Sequence, residues 1–327
     1  MSKSFRWGIL GLGKIAHKFA QALATIEEAE LVAVGSRSED RAQQFAQEYG
    51  ARLFFGTYAG LIQSGEIDAV YIATPHVGHH DLTVACLEAG VPVLCEKPLG
   101  MNLREVESMI ATAERTGTYL MEALWTRFLS STLKVLELIE VGEIGQLESL
   151  RADFGFKLGP NSGQRISDPA LGGGNLLDIG IYPVFLSQLL FGPPSEIQAM
   201  ARLGDTGVDI DTSVNLRFAD GRMAQLYSTL LGRTKTEATL LGQDAILHWH
   251  SRWHEPSSFS ILRDEEPPQN YFFEYDNNGY AYEARAVMED VAAGRKENSW
   301  WSLEESRQLH QTLTTIRQQI GLHYPGE

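Results

Sequence analysis

The sequence predicts an α/β protein in two parts. The first is a doubly wound parallel sheet, and the second an α/β domain built on a large open, mainly antiparallel sheet. A glycine-rich turn, Gly8-Ile9-Leu10-Gly11-Leu12-Gly13-Lys14-Ile15-Ala16, joins an apolar start to a helix-like stretch. Short apolar runs then alternate with amphipathic ones as far as residue 123, the rhythm of βαβ units. Beyond that point longer stretches alternate apolar and polar residues, the pattern of strands with one covered face.

Residues 5–10 read as a strand and Ile15–Thr25 as a helix. Leu31–Val34 is a second strand, Ser38–Tyr49 a helix, Ala51–Phe55 a strand and Tyr58–Ser64 a helix. Ala69–Ala73, Val91–Cys95 and Tyr119–Glu122 are further strands, separated by helices at Leu82–Ala89 and Leu103–Thr116. In the second part, strands fall at Leu147–Phe156, Glu196–Leu203, Ser213–Phe218, Met223–Leu230, Glu237–Leu241, Ala245–His250 and Tyr271–Tyr275. Asp220-Gly221 supplies a hairpin turn. Helices are expected at Thr132–Val141, Asn175–Phe191, Tyr282–Ala293 and Leu303–Ile320.

The glycine turn has the G-x-G-x-x-A spacing of a Rossmann dinucleotide-binding corner. Gly11 permits the tight turn, Gly13 lets the backbone approach a pyrophosphate, and Ala16 allows close helix–strand packing. The diphosphate would rest on the helix N-terminus at Lys14 and Ile15. Residues 1–123 are therefore expected to be an NAD(P)-binding domain, and 124–327 a substrate-binding and oligomerisation domain. An acidic residue at the end of the second strand commonly holds the adenosine ribose. Here that place reads Gly35-Ser36-Arg37-Ser38. A hydroxyl beside a guanidinium suits a 2′-phosphate, and Arg41 one turn later can join it. NADP is the expected cofactor. The alternative is NAD, with Glu39 or Asp40 serving the ribose after a register shift.

The 327 residues are 43% hydrophobic and 21% charged, as in ordinary globular proteins, and the formal charge is −15. That sign opposes nucleic-acid and anionic-membrane partners. The first residues, Met1–Phe5, have no signal-peptide core, and no apolar run was expected to reach the length of a membrane span. Cys86 and Cys95 read as small buried thiols in a reducing cytoplasm.

Further on, Ala73-Thr74-Pro75-His76 with His79, Cys86-Leu87-Glu88-Ala89-Gly90-Val91-Pro92-Val93 and Glu96-Lys97-Pro98-Leu99-Gly100 occur in order. Together they resemble the glucose-fructose oxidoreductase / inositol dehydrogenase / MocA (Gfo/Idh/MocA) family. Met121–Phe128, Gly172–Tyr182 and Ile316–Gly321 look like the branch holding dimeric dihydrodiol dehydrogenases and NADP-dependent D-xylose dehydrogenases. Leu129-Ser130 and Trp300-Trp301 depart from that branch. The resemblance implies hydride transfer between nicotinamide and a hydroxyl or carbonyl of a sugar or vicinal diol. Its alternatives are a nucleotide-retaining glycosidase of the same family and a nucleotide sensor without turnover.

Oxidising an alcohol sends a hydride to the nicotinamide and a proton to a base. Tyr182 is the expected proton carrier, with Lys97 beside it. A free tyrosine titrates near pH 10, and a neighbouring ammonium brings it down. The resemblance supports the pair, since Lys97 matches the family's Glu-Lys-Pro lysine and Tyr182 stands where many members carry a histidine. Asp178 shares a face with Tyr182 if the segment is helical, although Pro183 weighs against a regular helix. Thr74, His76, His79 and Glu96 complete the expected cofactor set, with His79 reaching the nicotinamide ribose or substrate, and His80 reads as surface. Trp125, Arg127, Phe154 and Trp253, with Phe156, are the expected substrate contacts. The His248–His254 run lacks ligand-spaced cysteines or carboxylates, so no metal is expected. The second domain's sheet, with an apolar outer face, is expected to build a homodimer or larger homo-oligomer.

Overall fold

The computed structural model describes residues 4–159, 164–275 and 277–327. Residues 1–3, part of the start read above as lacking a signal core, lie outside these. Two units divide the chain: Met1–Arg127 with Tyr275–Arg307, and Phe128–Glu274 with Gln308–Glu327.

The first unit runs β1 (Phe5–Leu10), α1 (Lys14–Leu23), β2 (Ala29–Gly35), α2 (Glu39–Tyr49), β3 (Leu53–Phe55), α3 (Tyr58–Ile62) and β4 (Ala69–Ile72). It continues with α4 (His79–Glu88), β5 (Val93–Glu96), α5 (Leu103–Thr116) and β6 (Leu120–Ala123). The strands form a six-stranded sheet in the order β3-β2-β1-β4-β5-β6, and each pairing is parallel. All four residues of β4 and of β5 are buried, which explains their unbroken runs: a central parallel strand is covered on both faces. Leu10, Val32, Val70, Ile72 and Val93 are fully buried in the main cluster. Phe19 from α1 stacks on Tyr71 at 3.8 Å. Side chains stop and start the helices. Ser38, Thr57 and Asn102 accept from backbone N–H groups at the heads of α2, α3 and α5.

The second unit begins with α6 (Ser130–Glu140) and β7 (Leu147–Gly155), then a π-helical turn at Leu176–Gly180 leading into α7 (Ile181–Phe191). Seven strands follow: β8 (Glu196–Leu203), β9 (Asp209–Arg217), β10 (Met223–Thr229), β11 (Ala238–Gly242), β12 (Ile246–Trp249), β13 (Phe259–Leu262) and β14 (Gln269–Tyr271). The chain then re-enters the first unit as α8 (Tyr280–Ala292), and the division falls within α9 (Leu303–Ile320). The eight-stranded sheet has the order β14-β13-β12-β11-β7-β10-β9-β8. Only β7 and β10 pair in parallel; the other pairings are antiparallel.

Several expectations change. The strand read at Tyr271–Tyr275 ends at Tyr271, and β13 had not been foreseen. Residues 275–307 pack with the first unit rather than the second: α8 lies on α1, and Asn278 Nδ2 donates to the Lys18 carbonyl at 2.8 Å. Pro169–Phe191 is apolar and long enough to cross a membrane, contrary to the sequence reading, but 78% of its window is buried inside the protein as a core helix is. The outer sheet face is also more polar than expected. Register pairs Asn215, Gln225, Arg151 and Thr239 in one polar row. Apolar Met200, Met223, Leu241 and Ile246 are exposed.

Candidate active site

The nucleotide end is built where β1 hands over to α1. Gly11 has φ +87°, and a Cβ there would lie 2.7 Å from both the Thr74 nitrogen and its Cγ2. No side chain fits that corner. A Cβ at Gly13 would meet nothing within 4 Å, so the protein's own packing does not require glycine there, whereas close approach of a pyrophosphate does. The head of α1 has no capping side chain and no acidic residue in its first turn. Lys14 and Ile15 thus open a helix suited to phosphate.

At the end of β2, Ser36 is buried, and its Oγ accepts from Ser38 N at 3.2 Å. Arg37 is exposed. Arg41 reaches back to the glycine turn, where its Nη2 donates to the Leu12 carbonyl at 3.3 Å. Glu39 leans towards Gly56, 3.0 Å from where a Cβ would sit on that glycine. Of this group the structure brings Arg41 to the glycine turn, with Ser36 buried and Arg37 exposed at the end of β2.

At the ends of β4 and β5 the histidine reading needs correction. His79 is completely buried, its Nδ1 2.8 Å from the Pro98 carbonyl and its Nε2 3.0 Å from the Thr74 carbonyl. It ties the Thr74 loop to the Glu-Lys-Pro turn instead of reaching a ligand. Burial pushes the His79 imidazole below its usual value, although both carbonyls oppose this. His76 is also buried, its ring 5.8 Å from His79. Glu96 accepts a short hydrogen bond from the Tyr71 hydroxyl and another from Lys97 N at 3.1 Å. Glu122, fully buried on β6, accepts from Leu99 N at 2.8 Å and so holds the turn that carries half-buried Lys97.

Two further residues of this unit do not form an open slot. Trp125 is buried and stacks on Tyr280 at 4.5 Å with an 8° interplanar angle. Arg127 donates through Nε to the Trp300 carbonyl at 2.8 Å and lies over that indole. Burial lowers the Arg127 pKa, and Glu305 partly offsets this. Trp300, which departs from the family pattern, is thus a partner of Arg127.

In the second unit, Tyr182 is buried near the head of α7. Its ring centroid lies 5.7 Å from Phe154 and 5.0 Å from His254, and those two rings stack at 4.0 Å. Half-buried Phe154, Phe156 and Leu158 pack on Ile166, Ile179 and Leu230. Asp178 sits in the π turn and accepts from Arg165 Nη2 at 2.6 Å. The π turn also explains why Pro183 is tolerated. Its ring would crowd the carbonyl four residues back, on Ile179, where the helix is widened. Trp253 is completely buried, with Nε1 donating to the Asp153 carbonyl at 3.1 Å, so it belongs to the core and not to a substrate wall.

Asp209, which the sequence reading passed over, sets the start of this turn. It is fully buried and accepts through Oδ2 from Leu176 N, Thr212 Oγ1 and Asn175 Nδ2 at 2.8, 2.8 and 3.3 Å. Burial raises its pKa against those bonds. Gly174 has φ +121°, and a Cβ there would come within 2.4 Å of Asp209 Oδ1. Among the described residues no three His, Cys, Asp or Glu side chains form a metal-binding group. Lys97 and Tyr182 belong to different units.

The oxidoreductase family model with an NAD-binding Rossmann fold, Gfo/Idh/MocA, matches residues 5–124, and the Gfo/Idh/MocA C-terminal domain matches residues 132–248. The chain belongs to the Gfo/Idh/MocA family. This Gfo/Idh/MocA protein is an NAD(P)-dependent oxidoreductase with a Rossmann nucleotide domain. It is 37% identical to a trans-1,2-dihydrobenzene-1,2-diol dehydrogenase of Danio rerio over 98% of both chains. It is 33% identical to the Homo sapiens protein of the same name over 99% of each. Among solved structures, KijD10, a 3-ketoreductase from Actinomadura kijaniata in complex with NADP and TDP-benzene, superposes with a TM-score of 0.89. It is 26% identical, covering 97% of this chain and 98% of its own.

Proposed function

We propose that this Gfo/Idh/MocA enzyme is an NADP-dependent dehydrogenase of vicinal diols carried on an apolar ring, with Tyr182 and Lys97 managing the proton. The observation that carries this is the setting of Tyr182, a phenol beside Phe154 and His254, with Phe154 itself part of an apolar cluster that includes Phe156 and Leu158. A sugar presents hydroxyls on every side and gains little from such surroundings, whereas a dihydrodiol has one apolar flank to bury. The relatives named as dihydrodiol dehydrogenases agree with this.

Bound nicotinamide supplies the hydride acceptor. Tyr182, as phenolate, takes the hydroxyl proton during oxidation and returns it to the developing alkoxide during reduction. Lys97, on the turn that Glu122 and His79 hold in place, is the cation we assign to favouring the phenolate. Asp178, paired with Arg165, orients the turn that precedes Tyr182. Ser36, Arg37 and Arg41 select the 2′-phosphate. The outer face of the eight-stranded sheet, with exposed Met223, Leu241 and Ile246, is assigned to contact with a second copy.

The test is a panel of dihydrodiols and aldoses with NADP and NAD, followed by nicotinamide absorbance, with light scattering for the assembly. NADP-linked oxidation of dihydrodiols, with kcat/KM above that for any aldose, is the expected result. Preference for an aldose overturns the substrate class, and a monomer at micromolar concentration overturns the assembly.

A further inference from the structure

His254 lies in a segment that the fold holds at a cost. Arg252 and Thr236 are two of three non-glycine residues with positive φ among the described residues, at 62° and 57°. Such angles are uncommon for any side chain and are outliers for a β-branched one. The two are joined, since Arg252 N donates to the Thr236 carbonyl at 2.8 Å. Thr236 is itself held by Asp153, whose Oδ2 accepts from its N–H at 2.8 Å. This paired strain turns Trp253 and His254 inward, to 0% and 3% exposure.

Inside, His254 lies between three groups. One ring face stacks on Phe154 at 4.0 Å, and Tyr182 is 5.0 Å away, tilted by 52°. Its Nε2 lies 3.6 Å from Glu255 Oε1. Glu255 is also gripped by Arg252, whose Nε donates to Oε2 at 2.7 Å. Burial alone would raise the Glu255 carboxyl, but the bonds and charges of His254 and Arg252 outweigh it and hold the group at about 2. Glu255 is therefore a carboxylate at any working pH, with Arg252 behind it and the His254 imidazole in front.

We infer that His254, oriented by Glu255, is a positioning residue for Tyr182: it holds the phenol ring and sets the pH at which the hydroxyl yields its proton. The inference rests on Tyr182 being the proton carrier. Of the ionisable groups around His254, Tyr182 faces it directly, Glu255 pairs with it, and Arg252 acts through Glu255. A carboxylate 3.6 Å from the imidazole favours its protonated form, and an imidazolium in turn favours a phenolate alongside.

The decisive variant is His254→Phe, which keeps a flat ring against Phe154 and removes both nitrogens. With substrate and NADP, the kcat/KM profile for oxidation should move to higher pH by about half a unit or more, as expected for loss of a neighbouring charge. Turnover should recover as the pH is raised. Glu255→Gln should change the profile of the parent enzyme and leave that of His254→Phe unaltered, because the carboxylate acts through the imidazole. Should His254→Phe bind nucleotide poorly, His254→Gln replaces it. Ultraviolet difference titration of the Tyr182 phenolate, with Tyr182→Phe as blank, then reads the same upward shift without turnover. An unchanged pH profile and phenolate titration in the His254 variant overturns the inference and leaves His254 as packing alone. Near-normal turnover in Tyr182→Phe instead overturns the assignment of Tyr182, and this inference with it.

Discussion

Replacing Arg37 by alanine separates the two nicotinamide nucleotides. Arg37 is exposed at the end of β2, beside the buried Ser36 hydroxyl, and the described residues give it no hydrogen bond or ion pair. Its loss therefore removes nothing from the apo fold. If it grips a 2′-phosphate, Arg37→Ala forfeits one charge-assisted interaction, worth about 1.5–3 kcal/mol. At about 1.4 kcal/mol per decade this is roughly a 10- to 100-fold rise in the Kd for NADP, with the Kd for NAD unmoved. Arg41→Ala behaves differently. The Arg41 guanidinium also bonds the Leu12 carbonyl in the glycine turn, so its removal should weaken both nucleotides. Fluorescence titration at one fixed ionic strength measures all four constants. Equal weakening of NADP and NAD by Arg37→Ala would refute the 2′-phosphate assignment and return the ribose to Glu39 or Asp40.

Tyr182→Phe should keep the fold and nucleotide affinity while turnover falls by roughly 10²–10⁴-fold, as for loss of a general acid–base group; rapid-quench and steady-state rates check it. Asp209→Ala strands three buried donors, on Leu176, Thr212 and Asn175, and should lower stability by about 3–5 kcal/mol in urea unfolding. Trp125→Ala should cost a similar ~3–5 kcal/mol through the cavity left by the buried indole that stacks on Tyr280, with the order of preferred substrates unchanged. Glu283 on α8 is fully buried, neither carboxyl oxygen has a hydrogen-bond partner among the described residues, and burial with nearby Glu96 raises its pKa well above 4.5. A raised folded value means its contribution is intact below the unfolded pKa and is lost as pH rises towards the folded one. Glu283→Gln has no proton to lose, so its Tm advantage over the parent should grow as pH climbs above 4.5; a pH-independent difference refutes this.

Where local signals agree, the sequence is legible to the residue. Helices α5 and α9 begin and end where periodicity places them, at Leu103–Thr116 and Leu303–Ile320. Asn102 caps the first of these, and Gly117 closes it in the left-handed region. Gly11 and Gly13 were readable because the turn's demand on them is local. The strand β13 was missed because four residues, Phe259–Leu262, carry too little alternation to be told from a loop. Its pairing with β12 and β14 makes it a strand.

The glycine turn, the βαβ rhythm and the Glu-Lys-Pro motif determine the fold class and the NAD(P)-binding domain from sequence alone, since each is a short-range constraint on the backbone. What surrounds the reacting groups was decided only by tertiary structure. His79 becomes a strut through the Pro98 carbonyl, Asp209 anchors a turn 33 residues earlier in the chain, and Glu122 reaches back 23 residues to Leu99. His254 stood out only as one histidine of the His248–His254 run, with no metal expected there, until the left-handed turn at Arg252 brought it to Tyr182. A side chain's type announces what it can bond. Its partner is chosen when distant segments are buried together, because a polar group taken out of water must be satisfied by whatever the fold brings to it.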